Sequence, residues 1–271
     1  MTGWMAAEGY FTDDSMLRRV VRERVMVLAG GRTLLMQAAH PVAWAGFFAH
    51  TGALDEPYER LNRTALVLNA IGWGTREEAD RMTRRVRAMH RRVRGVIPEP
   101  AGRFPAGTPY AADDPELLLW ILATLVDSAL TVYPRYVREL SWAERDALWR
   151  DYKVVGNLFG LADADMPDGI DEFDAYMQGM LDGGDLLVVP EARDLGVQIV
   201  MRPPVPLAFK PLLELVNQIT VGLLPAGIRR QYGFSWDPAR HLALLGGAEY
   251  LKRIALPLIP SRLRLIPAAA A

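Results

Sequence analysis

The sequence predicts an all-α protein built as a single large multi-helix domain, and three observations carry that prediction. Capping patterns recur ahead of apolar stretches: Thr75 three residues before Glu78, Asp114 next to Pro115, and Ser141 three residues before Glu144. Behind these starts, apolar residues return every three or four positions, the period of a helix with one face turned inward. No stretch alternates apolar and polar residues long enough to demand a sheet, and there is no internal repeat. The expected organisation is an arm at residues 1–14, a helical domain at 15–256 and a tail at 257–271.

The 271 residues permit an extensive core, and 51% of them are apolar, which fits a globular chain and excludes a disordered one. A net charge of −1 gives no global attraction to nucleic acid. With no cysteine, the chain cannot form disulfides, ligate haem through a thiolate, hold an iron–sulfur cluster or use a cysteine nucleophile. Arg22, Glu23 and Arg24 interrupt the apolar stretch that follows Arg18–Arg19, so no secretory signal is formed. The longest apolar runs fall short of the roughly 20 residues of a membrane span. A soluble cytoplasmic protein is the expectation.

In chain order, Ser15 caps a helix expected to run unbroken through LRRVVRERVMVLAGGRTLLMQAA, apolar on nearly all sides after Val25 and hence buried. Gly30 and Gly31 cost about 1 kcal/mol each relative to alanine, so close packing or a kink should compensate. No Lys-Ser/Thr pair follows them, which excludes a phosphate loop. Pro41 pushes His40 out of the helical region and opens a short apolar helix carrying Trp44, Phe47 and Phe48. His40 and His50 stand ten apart without an HExxH pattern, which is not zinc spacing; helix capping is the role expected of His40.

Asp55 and Pro57 start the next helix, on which Arg60, Arg63, Thr64, Val67 and Ile71 share one side. Beyond Thr64 this helix is apolar, so Arg60, Arg63 and Thr64 mark a polar spot entering the core. A buried guanidinium there needs an anionic partner, either a protein carboxylate or a ligand. The connector 97–109 is rich in Pro and Gly and should lack regular structure. Asp114 caps PELLLWILATLVDSALTVYPRYVREL, the central buried helix, kinked at Pro134. Asp127 within it requires an arginine or a histidine Nδ1–H as partner. Further helices are expected over SWAERDALWRDYKVVGNLFG, 172–181 and 190–201, with three more after RPPVP. The end, SRLRLIPAAAA, reads as a frayed tail with basic residues and leucines that could touch a membrane surface weakly.

The stretch TREEADRMTRRVRAMHRRVRGVI organises the rest. It should form a helix stopped by Gly95, with Ala79, Thr83, Val86, His90, Val93 and Ile97 on one stripe and eight arginines against three acids elsewhere. His90 is thereby placed inward among valines, with Arg87 and Arg94 on one edge. Such an imidazole serves either as a hydrogen-bonded core residue or as an axial ligand to buried iron. The arginine run serves either as a solvated face or as a binding patch.

The ordered motifs GGRTLLMQAAHP, PYERLNRT, MHRRVRG and YAADDPELLLW, followed by ERDALWRDY, NLFGL and GLLPAGIRRQYGFSW, resemble the catalytic domain shared by the MpaB-type oxygenases and the rubber oxygenases (latex-clearing proteins) over residues 18–240. The resemblance implies an all-helical domain around a buried haem pocket holding one non-covalent b-type haem. It implies a proximal histidine at His90, and an upstream Arg-x-x-Lys-Thr motif at Arg60, Arg63 and Thr64. Arg63 stands where the rubber oxygenases have a lysine able to take the sixth coordination site. A guanidinium stays protonated with no lone pair for iron, so such ligation is not expected here. The glutamate that rubber oxygenases use as a base is also missing, because the corresponding VAWAGFF has no acid. A substrate smaller than polyisoprene follows.

On this resemblance Arg94, Arg87, Arg63 and Arg60 are candidates to hold the propionates, while Arg60 and Thr64 are candidates to line the distal pocket and polarise bound oxygen. The expected activity is that of a haem b-dependent oxygenase or oxidoreductase acting on a small apolar organic substrate with O₂ or peroxide. The alternatives are a non-enzymatic haem carrier or sensor, and a haem-free helical protein that binds lipid or a partner.

Overall fold

The computed structural model describes residues 9–48 and 57–266, with only the backbone of Phe48. Residues 1–8 of the arm, His50, the expected cap Asp55 and tail residues 267–271 lie outside the described residues. The chain is helical nearly throughout. Its helices are α1 (Met16–Val21), α2 (Leu28–Ala38), α3 (Pro41–Phe48), α4 (Pro57–Trp73) and α5 (Arg76–His90). A short hairpin of β1 (Arg94–Val96) and β2 (Pro109–Ala111) follows. Then come α6 (Pro115–Tyr136), α7 (Trp142–Phe159), α8 (Ile170–Asp182), α9 (Pro190–Met201), α10 (Lys210–Leu223), α11 (Ala226–Gln231) and α12 (Pro238–Tyr250), with short turns to residue 264.

The helix starts are where the capping residues put them. Thr75 accepts from the Glu78 N–H at 3.1 Å, Asp114 accepts from Glu116 N–H at 2.9 Å, and Ser141 and Glu144 bond each other's backbone in both directions. The centre is α6, packed against α2 and α7. Trp120, Ala123, Val126 and Val132 on it have no exposed surface, each larger side chain contributing roughly 1.5–3 kcal/mol by leaving water. It is long and apolar enough to cross a membrane, yet over half of its most apolar stretch is buried inside the protein.

A buried cation joins three helices at this centre. Arg32 of α2 is 4% exposed; its Nη2 donates to Asp127 Oδ2 at 2.6 Å, its Nη1 to Ser128 Oγ at 2.8 Å, and its Nε to the Leu223 carbonyl of α10 at 2.8 Å. The partner Asp127 required is therefore an arginine. Beside it, Gly31 lets α2 approach α9 and α10: a Cβ there would lie 3.0 Å from Val200 Cγ1 and from Thr220 Oγ1. Close packing compensates this glycine, as expected.

His40 is buried and caps α3, its Nδ1 accepting from the Ala43 N–H at 3.3 Å. Its ring packs at 5.5 Å from Phe104 and 6.4 Å from Trp120. Burial dominates its titration and lowers its pKa to about 4, against the opposing pull of Asp185.

Several expectations are corrected. The first long helix is broken: α1 stops at Val21, a 3₁₀ turn spans Arg24–Val27, and α2 starts at Leu28. The cause is the end of the chain, which is not frayed through residue 266. Leu265 bridges to Glu23, Ile266 N–H donates to the Arg22 carbonyl at 2.9 Å, and Arg24 Nε donates to the Leu265 carbonyl at 2.8 Å. The Glu23 carboxylate is buried against Arg264 Nε at 3.1 Å. Those bonds require extended backbone at Glu23, which a helix forbids.

Likewise α5 ends at His90 rather than at Gly95, and two short strands pair on either side of the connector, whose residues 97–108 hold no helix or strand, as expected. Gly95 faces Tyr110, where a Cβ would sit 2.5 Å from the phenol oxygen, so any larger residue would have to displace the Tyr110 ring. Of the arm, Phe11 is buried and Tyr10 donates to Asp80 at 2.6 Å.

Two outcomes follow from this core. Arg32→Ala leaves Asp127, Ser128 and the Leu223 carbonyl without their donor and should lower unfolding free energy by about 3–5 kcal/mol in urea titrations; a loss under about 1 kcal/mol would refute the central role given to this arginine. For His40, the unfolded imidazole binds its proton near pH 6.5 and the folded one only near pH 4. Its stabilisation is thus complete above about 6.5 and lost as pH falls toward 4, by at most about 3 kcal/mol. His40→Asn keeps a capping oxygen and should flatten the stability profile in that window.

Candidate functional site

The site is assembled where α3, α4, the end of α5 and the start of β1 meet. Helix α5 carries His90 as its last residue, so the imidazole sits at a helix end, half-buried. Its Nδ1 is fully enclosed and has no hydrogen-bond partner among the described residues. Burial lowers its pKa, the nearby Arg60 guanidinium lowers it further, and Asp113 opposes both. The imidazole is consequently held neutral, the form whose nitrogen lone pair can bind a metal or accept a proton. The stripe expected on α5 is inward at Ala79 and Thr83, half-buried at Val86 and His90, and resumes at Val93 and Ile97, which pack with Val42 and Tyr110 under the hairpin.

Arg60 reaches toward this imidazole from α4. Its guanidinium carbon lies 3.3 Å from the centre of the Phe47 ring, and its Nη1 donates to the Phe47 carbonyl at 3.1 Å. Burial lowers its pKa to about 10, with Arg63 adding to the effect; it remains cationic at neutral pH. Arg60 also forms part of the wall of a small apolar pocket, partly open to solvent, bounded by α2, α3, α4, α6 and α9. Leu34, Trp44, Phe47, Ile121 and Val200 supply much of that wall. Arg60 is the residue common to the pocket and to the surroundings of His90.

The other sequence candidates are dispersed. Arg63 and Thr64 are exposed, and the Thr64 hydroxyl donates to the Arg60 carbonyl one turn back at 3.1 Å rather than facing a cavity. The polar spot on α4 therefore does not enter the core as a unit: residues 62–66 are exposed, and burial begins at Ala70. Arg94 is committed to Asp113, with two bonds from Nη2 at 2.9 and 2.8 Å across the hairpin. Arg87 runs past the end of α7, where a Cβ at Gly160 would lie 3.4 Å from its Cδ. Asp113, which tethers Arg94 and offsets the charge of Arg60 at His90, was not singled out by spacing. The YAADDP run held it, but helix periodicity has no term for a loop carboxylate. Among the described residues, no group of three or more His, Asp and Glu is placed to hold a metal ion, so any metal here would rest on the single imidazole and its own further ligands.

The model for the family "ER-bound oxygenase mpaB/B′/Rubber oxygenase, catalytic domain" matches residues 17–253. Two curated relatives, the Mycobacterium bovis protein Mb2261 and the Mycobacterium tuberculosis protein Rv2237, are each 27% identical over 207 residues, covering 76% of this chain and 77% of their own length. No solved structure matches the chain significantly.

The coupling between Arg60 and His90 is measurable. Arg60→Gln removes one of the two effects that keep the imidazole neutral, so the His90 pKa followed by histidine ring resonances should rise while remaining below that of a free imidazole. An unchanged titration would show that the guanidinium does not reach the ring.

Proposed function

Because the chain belongs to the family of mpaB-type and rubber oxygenase catalytic domains, we propose that it is a haem b-dependent oxygenase in which His90 is the axial ligand of iron and the apolar pocket beside Arg60 receives a small apolar organic substrate. The observation that carries this reading is the His90 Nδ1: a ring nitrogen buried with no partner among the described residues, on an imidazole kept neutral, next to a half-buried cation. A buried polar atom left unpaired costs about 1–3 kcal/mol.

Haem, when bound, supplies the activation of oxygen or peroxide; the chain's own residues supply the setting. His90 holds its nitrogen deprotonated because protonation would place a second cation beside Arg60 in a desolvated site. Arg60, its Nη1 already bonded to the Phe47 carbonyl, would set a cationic charge toward a carboxylate such as a propionate. Asp113 holds Arg94 and balances the local positive charge. Trp44, Phe47, Leu34, Ile121 and Val200 exclude water and select an apolar substrate by shape. Arg63, exposed and always protonated, would have no lone pair to offer a bound iron.

The protein expressed with haem supplementation should give a Soret band and a pyridine haemochrome of b type. His90→Ala should abolish the axial-ligand signature, and Arg60→Gln should retain it while weakening haem retention roughly tenfold, the loss of one charge-assisted bond. A protein that binds no haem, or one whose spectrum is indifferent to His90→Ala, would falsify the proposal. A haem-bound protein without turnover across alkenes, phenols and quinols would identify a carrier instead.

A further inference from the structure

The last third of the chain leaves a large apolar surface uncovered. Of the sixteen large hydrophobic residues exposed among the described residues, ten lie between Leu207 and Leu263, so this surface is a regional property and not the usual scatter of single exposed side chains. The segments concerned converge on one small core cluster. Leu28, Val132, Tyr136, Ile219, Leu223 and Ala248 form it, with Val25, Val216 and Leu251 packed alongside. This joins the turn Arg24–Val27, helix α10 and the end of α12, and the 261–266 segment is tied to the same turn through Leu265 and Ile266.

The apolar stripes of these helices continue past the cluster. On α10, Leu212 lies one turn before Val216 on the stripe that carries Ile219 and Leu223, yet it is exposed. The 3₁₀ turn just before it presents Leu207 at 76% and Phe209 at 56% exposure. Seven residues beyond the packed Leu251, Leu258 is 77% exposed, and Val27 and Leu263 are exposed on the segments pinned beside it.

The charges around this rim are one-sided. Arg24, Lys210 and Arg262 are exposed and form no ion pair among the described residues. The acids nearby are largely spent: Glu23 is buried against Arg264, and Glu249 is paired with Arg253 at 2.6 Å. Glu214 is the exposed carboxylate left, bonded to Gln218. The chain as a whole carries a charge of −1, so the positive balance is local.

We infer that this face docks on a membrane surface containing anionic lipid. Leu207, Phe209, Leu212 and Leu258 enter the boundary between headgroups and acyl chains, while Arg24, Lys210 and Arg262 reach the phosphates. A second copy of the chain fits this face poorly, because it would bring the same unpaired cations together. The surface shares no residue with the pocket or with the surroundings of His90, so its test is separate from that of haem binding.

The test is flotation of the full chain with phosphatidylcholine vesicles, with and without phosphatidylglycerol, at low and high salt. Binding should appear with phosphatidylglycerol, fall as salt rises, and drop roughly tenfold in Leu207→Glu/Phe209→Glu. Lys210→Gln/Arg262→Gln, which touches only exposed side chains, should remove the preference for phosphatidylglycerol with an unchanged thermal midpoint, and it carries the test should the first variant fold poorly. No binding to either vesicle by a folded wild-type chain overturns the inference. So does a concentration-dependent dimer that Leu207→Glu/Phe209→Glu dissolves, which would make the face an interface between copies.

Discussion

Arg32 carries a permanent charge into the middle of a helical core, and the arrangement of α2, α6 and α10 is the one that gives each of its three nitrogens an acceptor. Desolvating a guanidinium costs several kcal/mol, and only good geometry recovers it. The three acceptors come from two helices far apart in sequence, so the bond set specifies how they meet rather than merely adding stability. Gly31 next to it removes the side chain that would hold α2 away from Val200 and Thr220. A charge that must be satisfied and a glycine that permits approach together define the packing angle from which the pocket wall follows, since Leu34, Gln37 and Ala38 lie on the same helix.

The return of the chain end onto Arg22–Arg24 has a comparable role at the edge. It breaks what the apolar pattern presents as one helix, and so separates α1, which packs on α7, from α2, which packs on α6 and α9. Glu23 is buried there, and desolvation raises its pKa although Arg264 and Arg22 pull the other way. Both Arg32 and Glu23 are buried charges that decide topology because each must meet its partner.

At the site, electrostatic balance matters more than the number of cations. Four arginines lie on the α4–β1 stretch as candidates, but Arg94 is neutralised by Asp113, Arg87 runs past the end of α7, and Arg63 stands in solvent. Arg60 alone combines burial, contact with an aromatic ring and proximity to His90. The result is a neutral imidazole at a helix end near one cation, which itself borders an apolar pocket. That is the electrostatic setting in which a single nitrogen ligand and an apolar substrate can both be held.

Helix starts, the buried character of α6, the capping role of His40 and the need of Asp127 for an arginine were readable from residue order, because capping, periodicity and the cost of an unpaired charge are local rules. So was the position of His90 on the inward stripe, which follows from helix geometry alone. Which arginine answers Asp127, where α5 stops, and that Asp113 rather than a ligand takes Arg94 were decided by the folded chain. Each of these depends on a contact between residues distant in sequence or on a loop carboxylate, and the 3.6-residue period carries no information about either. The same holds for Glu23 and the chain end: five charged residues in seven, from Arg18 to Arg24, read as the wet side of a helix until Leu265 and Arg264 arrive to claim the backbone and the carboxylate.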